Sequence, residues 1–70
     1  MNRDTDLIRM ANQIAEAFSV YPEPEATADI AKHIKDFWDP TMRERIVVLA
    51  AREENLDPAV KRALALLTSA

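Results

Sequence analysis

Leu7, Ala11, Ile14 and Phe18 recur at i, i+4, i+7 and i+11. That spacing lays one apolar stripe along a helix, here over about residues 5–19. Met10 and Ala17 flank the stripe on one side and Ile8 and Ala15 on the other, while Arg9, Asn12, Gln13 and Glu16 point away from it. Asp4, Thr5 and Asp6 offer caps and suit the positive end of the helix dipole. Tyr21-Pro22-Glu23-Pro24 breaks the pattern, because proline removes a donor and holds its predecessor extended. A second helix is expected over residues 24–38, with a stripe of Thr27, Ile30, Ile34 and Phe37. Ala31 and Trp38 lie on one shoulder of that stripe and His33 on the other. Asp39-Pro40 both ends this element and starts the next, with Asp39 as N-cap and Pro40 at the first helical position.

The third helix is expected over residues 40–54 through Met42, Ile46, Leu49 and Ala50. Asn55 suits a left-handed residue just past its end, with Leu56 closing back on the last turn. Asp57-Pro58 repeats the capping device, and a fourth helix over residues 58–68 carries Val60, Leu64 and Leu67. The last two helices echo each other at Asp39/Asp57, Pro40/Pro58, Ile46/Leu64 and Leu49/Leu67. So short a match reads as shared helix grammar rather than duplication. The pattern predicts an all-α fold: one domain over residues 1–70, built as a small bundle of about four short helices.

Composition sharpens this. Glycine is absent, which disfavours an all-β domain whose tight hairpins need positive φ. Cysteine is absent too, removing disulfides, thiolate catalysis, and the usual ligands of zinc and iron–sulfur sites. Below about 70–80 residues, a lone core rarely supplies more than ~3–5 kcal/mol. With one histidine and no cysteine, the extra stability is expected from a partner surface rather than a metal.

The net charge of −3 disfavours nucleic-acid binding, which needs clustered Lys and Arg. Residues 1–31 hold only Arg3 and Arg9 against Asp4, Asp6, Glu16, Glu23, Glu25 and Asp29. No apolar run reaches the ~20 residues of a membrane span, and the acidic start is unlike a targeting peptide. A soluble, cytoplasmic location is expected.

The chemistry on offer is sparse. His33 has Asp29 and Asp36 nearby but no neighbouring nucleophile. The hydroxyls of Thr5, Ser19, Thr27, Thr41, Thr68 and Ser69 stand at caps, ends or flanks. His33 reads as a boundary residue covering Phe37 one turn on, or as a hydrogen-bonding contact to a partner. Phe37, on the stripe, is expected in the core, whereas Trp38 divides between packing and contact, tryptophan being enriched at binding hot spots. Arg43 and Arg45 open the third helix, where the dipole disfavours them. They pair with Glu44, Asp39 or acids of the first helix, or else grip a carboxylate on a partner. Val47, Val48 and Ala51 carry the third helix's apolar surface round the cylinder, with Val48 nearly opposite Ile46. A short helix apolar on both faces is expected to meet another chain, with Leu66 extending the surface.

Two strings then stand out: Met10-Ala11-Asn12-Gln13-Ile14-Ala15 with Phe18, and His33-Ile34-x-x-Phe37-Trp38-Asp39-Pro40-x-Met42-Arg43. With Leu56-x-Pro58 and Ala63-Leu64, they resemble the delta subunit of soluble NAD-dependent formate dehydrogenase over about residues 7–67. Thr41 departs from the family's usual basic residue, and the glycines usual before the fourth helix are missing.

The resemblance implies a non-catalytic accessory subunit of a bacterial cytoplasmic complex, stabilising or assisting assembly of its molybdenum-containing catalytic subunit. In such complexes a bis-molybdopterin guanine dinucleotide molybdenum centre oxidises formate, and iron–sulfur clusters and FMN carry the electrons to NAD. No cofactor is expected in this chain itself. The implied partners are the other formate dehydrogenase subunits, above all the large catalytic one. Asn12, Gln13, His33, Trp38 and Arg43 carry over from the motifs as partner-binding residues, and Val48 joins them from the surplus apolar face. The competing expectation is a free-standing helical regulator that self-associates through Val47, Val48 and Leu66.

Overall fold

The computed structural model describes residues 3–52 and 55–69. Four helices follow in order: α1 (Arg3–Phe18), α2 (Glu25–Phe37), α3 (Pro40–Ala50) and α4 (Pro58–Thr68). The fold is all-α. The chain fills about 34 × 24 × 21 Å, with α2 packed most extensively on α4 while α1 lies across α3, α2 and α4.

Helix α1 puts Leu7, Ala11 and Ala15 into the interior at successive i+4 steps. The two alanines let its backbone approach its neighbours, and Ile8, Ile14 and Phe18 pack partly against the same core. Asp4 and Asp6 fall within the first turn, where the unpaired N–H groups favour negative charge. Asp4 also reaches across the fold. The Arg45 guanidinium grips it with two bonds, Nε to Oδ1 at 2.9 Å and Nη2 to Oδ2 at 2.7 Å. These bonds hold the Asp4 carboxyl below its ordinary value of 3.8 and push the guanidinium up. Of the two expectations for Arg45, the intramolecular pair with an acid of the first helix is the one found.

Helix α2 buries Ala26, Thr27, Ile30, Ala31 and Ile34. Thr27, Ile30 and Ile34 of the expected stripe are buried, with Ala26 and Ala31 beside them, and only Phe37 departs from it. Buried Thr27 is satisfied at both ends of its hydroxyl: it donates to the Glu23 carboxylate and accepts from Arg62 Nε at 3.5 Å. Arg62 also reaches Glu23 at 3.3 Å, which ties the start of α2 to α4. The Thr27 hydrogen bond is the main reason that the Glu23 carboxyl is held below its ordinary 4.5.

Both Asp-Pro pairs cap as their chemistry requires. Asp39 accepts the Met42 N–H at 2.9 Å, Asp57 accepts the Ala59 N–H at 2.8 Å, and each proline stands at the helix start. Helix α3 stops at Ala50, sooner than expected, and turns through Ala51 and Arg52 in 3₁₀ fashion; the Arg52 N–H bonds the Leu49 carbonyl. Residues 53–54, the expected last turn, lie outside the described residues. The φ of Asn55, expected to be left-handed, depends on residue 54 and so lies outside the described residues. Leu56 is nonetheless buried in the core. Ile30, Ile34, Ile46 and Val60 are its largest fully enclosed side chains.

Candidate partner-binding surface

Phe37, expected in the core, lies outside it, and of the two readings of Trp38 packing is the one found. Phe37 is 74% exposed and Trp38 only 6%. With the buried row of α2 running 26–30–34, the next i+4 step falls on residue 38. Trp38 donates its N–H to the Ile34 carbonyl at 3.0 Å while its own φ and ψ of −92° and 139° turn the chain out of the helix. The indole thus enters the core. Phe37 and His33, one turn apart on the adjacent row, are left along the rim.

Arg43 seals this corner from the other side. Its Nη1 donates to the Lys35 carbonyl at 2.9 Å and the Trp38 carbonyl at 3.1 Å. A cation on the last carbonyls of a helix satisfies orphan acceptors and faces the negative end of the dipole. The string from Trp38 to Arg43 therefore uses Asp39 as cap, Pro40 as helix start and Arg43 as return bond within the chain.

Asn12 has an internal use too. Its side-chain N–H donates to the Asn55 carbonyl and its Oδ1 accepts the Asp57 N–H, both at 2.8 Å. Both faces of one amide thereby clamp the connection between α3 and α4 onto α1. Gln13, next in sequence, is exposed. It stands on the ridge between a recess beside Asn12 and Asn55 and a second recess shared by α1 and α2.

That second recess is lined by Met10, Gln13, Ile14, Phe18, His33 and an edge of Trp38. It continues into another bounded by Phe18, Tyr21, His33, Phe37 and the polar Asp29, Lys32 and Asp36. Four rings run through it in sequence. Tyr21 lies 6.1 Å from Phe18, Phe18 meets His33 edge-on at 6.0 Å, and His33 leans on Phe37 at 4.7 Å. His33 touches Phe37 one turn on, as the spacing implied, but leaves most of that ring in solvent. The face is apolar, aromatic and open to solvent, with Met10, Tyr21 and Phe37 all exposed.

Val48 is exposed at 45% and Leu66 at 52%, but they do not share a groove. Leu66 lines a recess with Pro24, Ala28 and Arg62, while Val47 is partly buried beside Leu64 and Leu67. Met10, Tyr21 and Phe37, absent from the expected contact set, are its most exposed neighbours on the α1–α2 face. Helical spacing places Phe37 in angle between Ala26 and Ile30, both buried, so its exposure at the last turn of α2 had no signal in the periodicity.

Of the candidate hydroxyls, Ser19, Thr68 and Ser69 donate to carbonyls of their own helix ends and Thr27 donates to Glu23. Among the described residues no three of His, Asp and Glu gather into a metal-ligand set, and no helix is long and apolar enough to cross a membrane.

The family model described as the NADH-dependent formate dehydrogenase delta subunit, FdsD, matches residues 6–64. Both sequence strings lie within that span. No curated protein and no solved structure matches the chain.

Proposed function

The chain belongs to the family of NADH-dependent formate dehydrogenase delta subunits, and from that premise we propose that it is a non-catalytic accessory subunit docked on the molybdenum-containing catalytic subunit. Its role is to stabilise that subunit or assist its assembly. The observation that carries this is the open aromatic face of α1 and α2: Tyr21, Phe18, His33 and Phe37 in a row, with the core closed behind them. An apolar face rimmed by polar residues marks an interaction site. The partner-contact set is Gln13, His33 and Val48 directly, with Asn12, Trp38 and Arg43 shaping the surface from beneath.

The molybdenum cofactor, iron–sulfur clusters and FMN belong to the other subunits of the complex. A chain without cysteine lacks the ordinary ligands of an iron–sulfur cluster. Its contribution is therefore structural, and the electrons pass elsewhere.

Co-purification tests the proposal. The tagged chain, expressed in its native host, is expected to bring down a large molybdenum polypeptide, and its deletion to lower formate-dependent NAD reduction. Recovery of the chain alone, with formate oxidation unchanged after deletion, would overturn it.

A further inference from the structure

The acids of this chain are used in different ways, Asp39 and Asp57 as helix caps. Asp4, Asp6 and Glu23 are engaged by Arg45, Arg9 and Arg62. Asp29 and Asp36, which flank the aromatic recess, have no hydrogen bond or ion pair with any described residue, and Lys32 between them pairs with neither. Asp29, His33 and Asp36 stand at i, i+4 and i+7, so they lie along one stripe of α2. Two turns separate the carboxylates, roughly 10 Å along the axis. The half-buried imidazole sits between them, and the exposed Phe37 ring beside Asp36, with Phe18 and Tyr21 across the groove on the α1 side.

Resting on the proposed accessory role, we propose that this groove receives a basic amphipathic helix of a formate dehydrogenase subunit. The helix lies along α2, with Lys or Arg two turns apart meeting Asp29 and Asp36 and apolar side chains between them covering Phe18, Tyr21 and Phe37. A groove between two helices accepts a third by ridge-into-groove packing. Complementary charge on its rim sets the register and speeds encounter. Unlike Glu16, Glu25 and Glu44, which also lack an arginine, these two border the aromatic recess, so a cation from a partner seated there completes them.

The test uses the tagged full-length chain co-purified from its native host, as wild type, Phe37→Ser, and the double variant Asp29→Lys, Asp36→Lys, with circular dichroism of each to establish that the helices persist. Both variants are expected to recover at least about tenfold less of the formate dehydrogenase subunit that the wild type brings down. Hydrogen exchange of the wild-type complex is expected to show protection over residues 10–18 and 29–37 relative to the free chain. Undiminished recovery by folded variants, or protection on the Val47–Leu67 side instead, would overturn the inference while leaving the accessory role standing. Failure of the wild type to recover any subunit would overturn the accessory role itself. A homodimer by light scattering that Phe37→Ser converts to monomer would assign the groove to a second copy and overturn the inference as well.

Discussion

The corner between α2 and α3 and the open face of α1 and α2 meet at two adjacent residues. On the corner side, Trp38 is enclosed, Asp39 caps α3, and Arg43 returns to the carbonyls that end α2. On the face side, Phe37 stands in solvent beside His33, and two carboxylates stand without partners. One side completes its hydrogen bonds within the chain and the other leaves aromatic surface uncovered. Residues that belong to the same sequence string can thus have opposite jobs: some build the platform and others are displayed on it.

The sharpest way to break this contrast is Trp38→Ala. Truncating an enclosed tryptophan costs about 3–5 kcal/mol, comparable to the whole stability that a chain this size draws from its core. A urea titration followed by circular dichroism is expected to find the variant largely unfolded; a stable, cooperative transition would mean that the corner does not depend on the indole. Asn12→Ala removes both bonds to the α3–α4 connection, at roughly 0.5–1.5 kcal/mol each. Exchange of the Asp57 amide is expected to accelerate beyond the global loss of stability, and no acceleration would show that the clamp is dispensable.

A pH comparison sharpens the picture for the paired acids. Asp4 and Glu23 have folded-state values below their ordinary 3.8 and 4.5. The stability they confer is therefore complete above those ordinary values and is lost as pH falls through the lower folded-state values. Asp4→Asn is expected to lower Tm modestly at pH 7, with the difference from wild type shrinking as the medium is acidified past that range. A difference that persists unchanged in acid would argue against the Arg45 pair as its source. The least effect on folding is expected of Phe37→Ser, within about 0.5 kcal/mol of wild type, since an exposed ring loses little when truncated. Thermal melts showing a clear destabilisation would mean that Phe37 supports its own domain and that the face is not a display surface.

Helix number and order were legible because the punctuation is local. Pro22, Pro24, Asp39-Pro40 and Asp57-Pro58 act within a few residues of themselves, and α3 and α4 start at Pro40 and Pro58 as those signals require. The end of α3 was not legible in the same way. Ala51 and Arg52 are good helix formers, yet the chain turns there to bring Leu56 into the core and the Asn55 carbonyl to Asn12. Of the candidate contact residues, Gln13, His33 and Val48 could be read as lying off the buried stripes. The internal bonds of Asn12 and Arg43 could not, because their partners lie on other elements.

From the order of its residues alone, this protein is all-α with sharp proline corners, and its two sequence strings mark the delta-subunit family whose model matches residues 6–64. Periodicity reports spacing along one helix, and spacing survives without knowledge of neighbours. It does not say which of two adjacent aromatics at a helix end turns inward, because that depends on how the chain leaves the helix and on where the other helices lie. That choice was made only when α4 and α1 closed on α2, enclosing Trp38 and leaving the Phe37 ring outside.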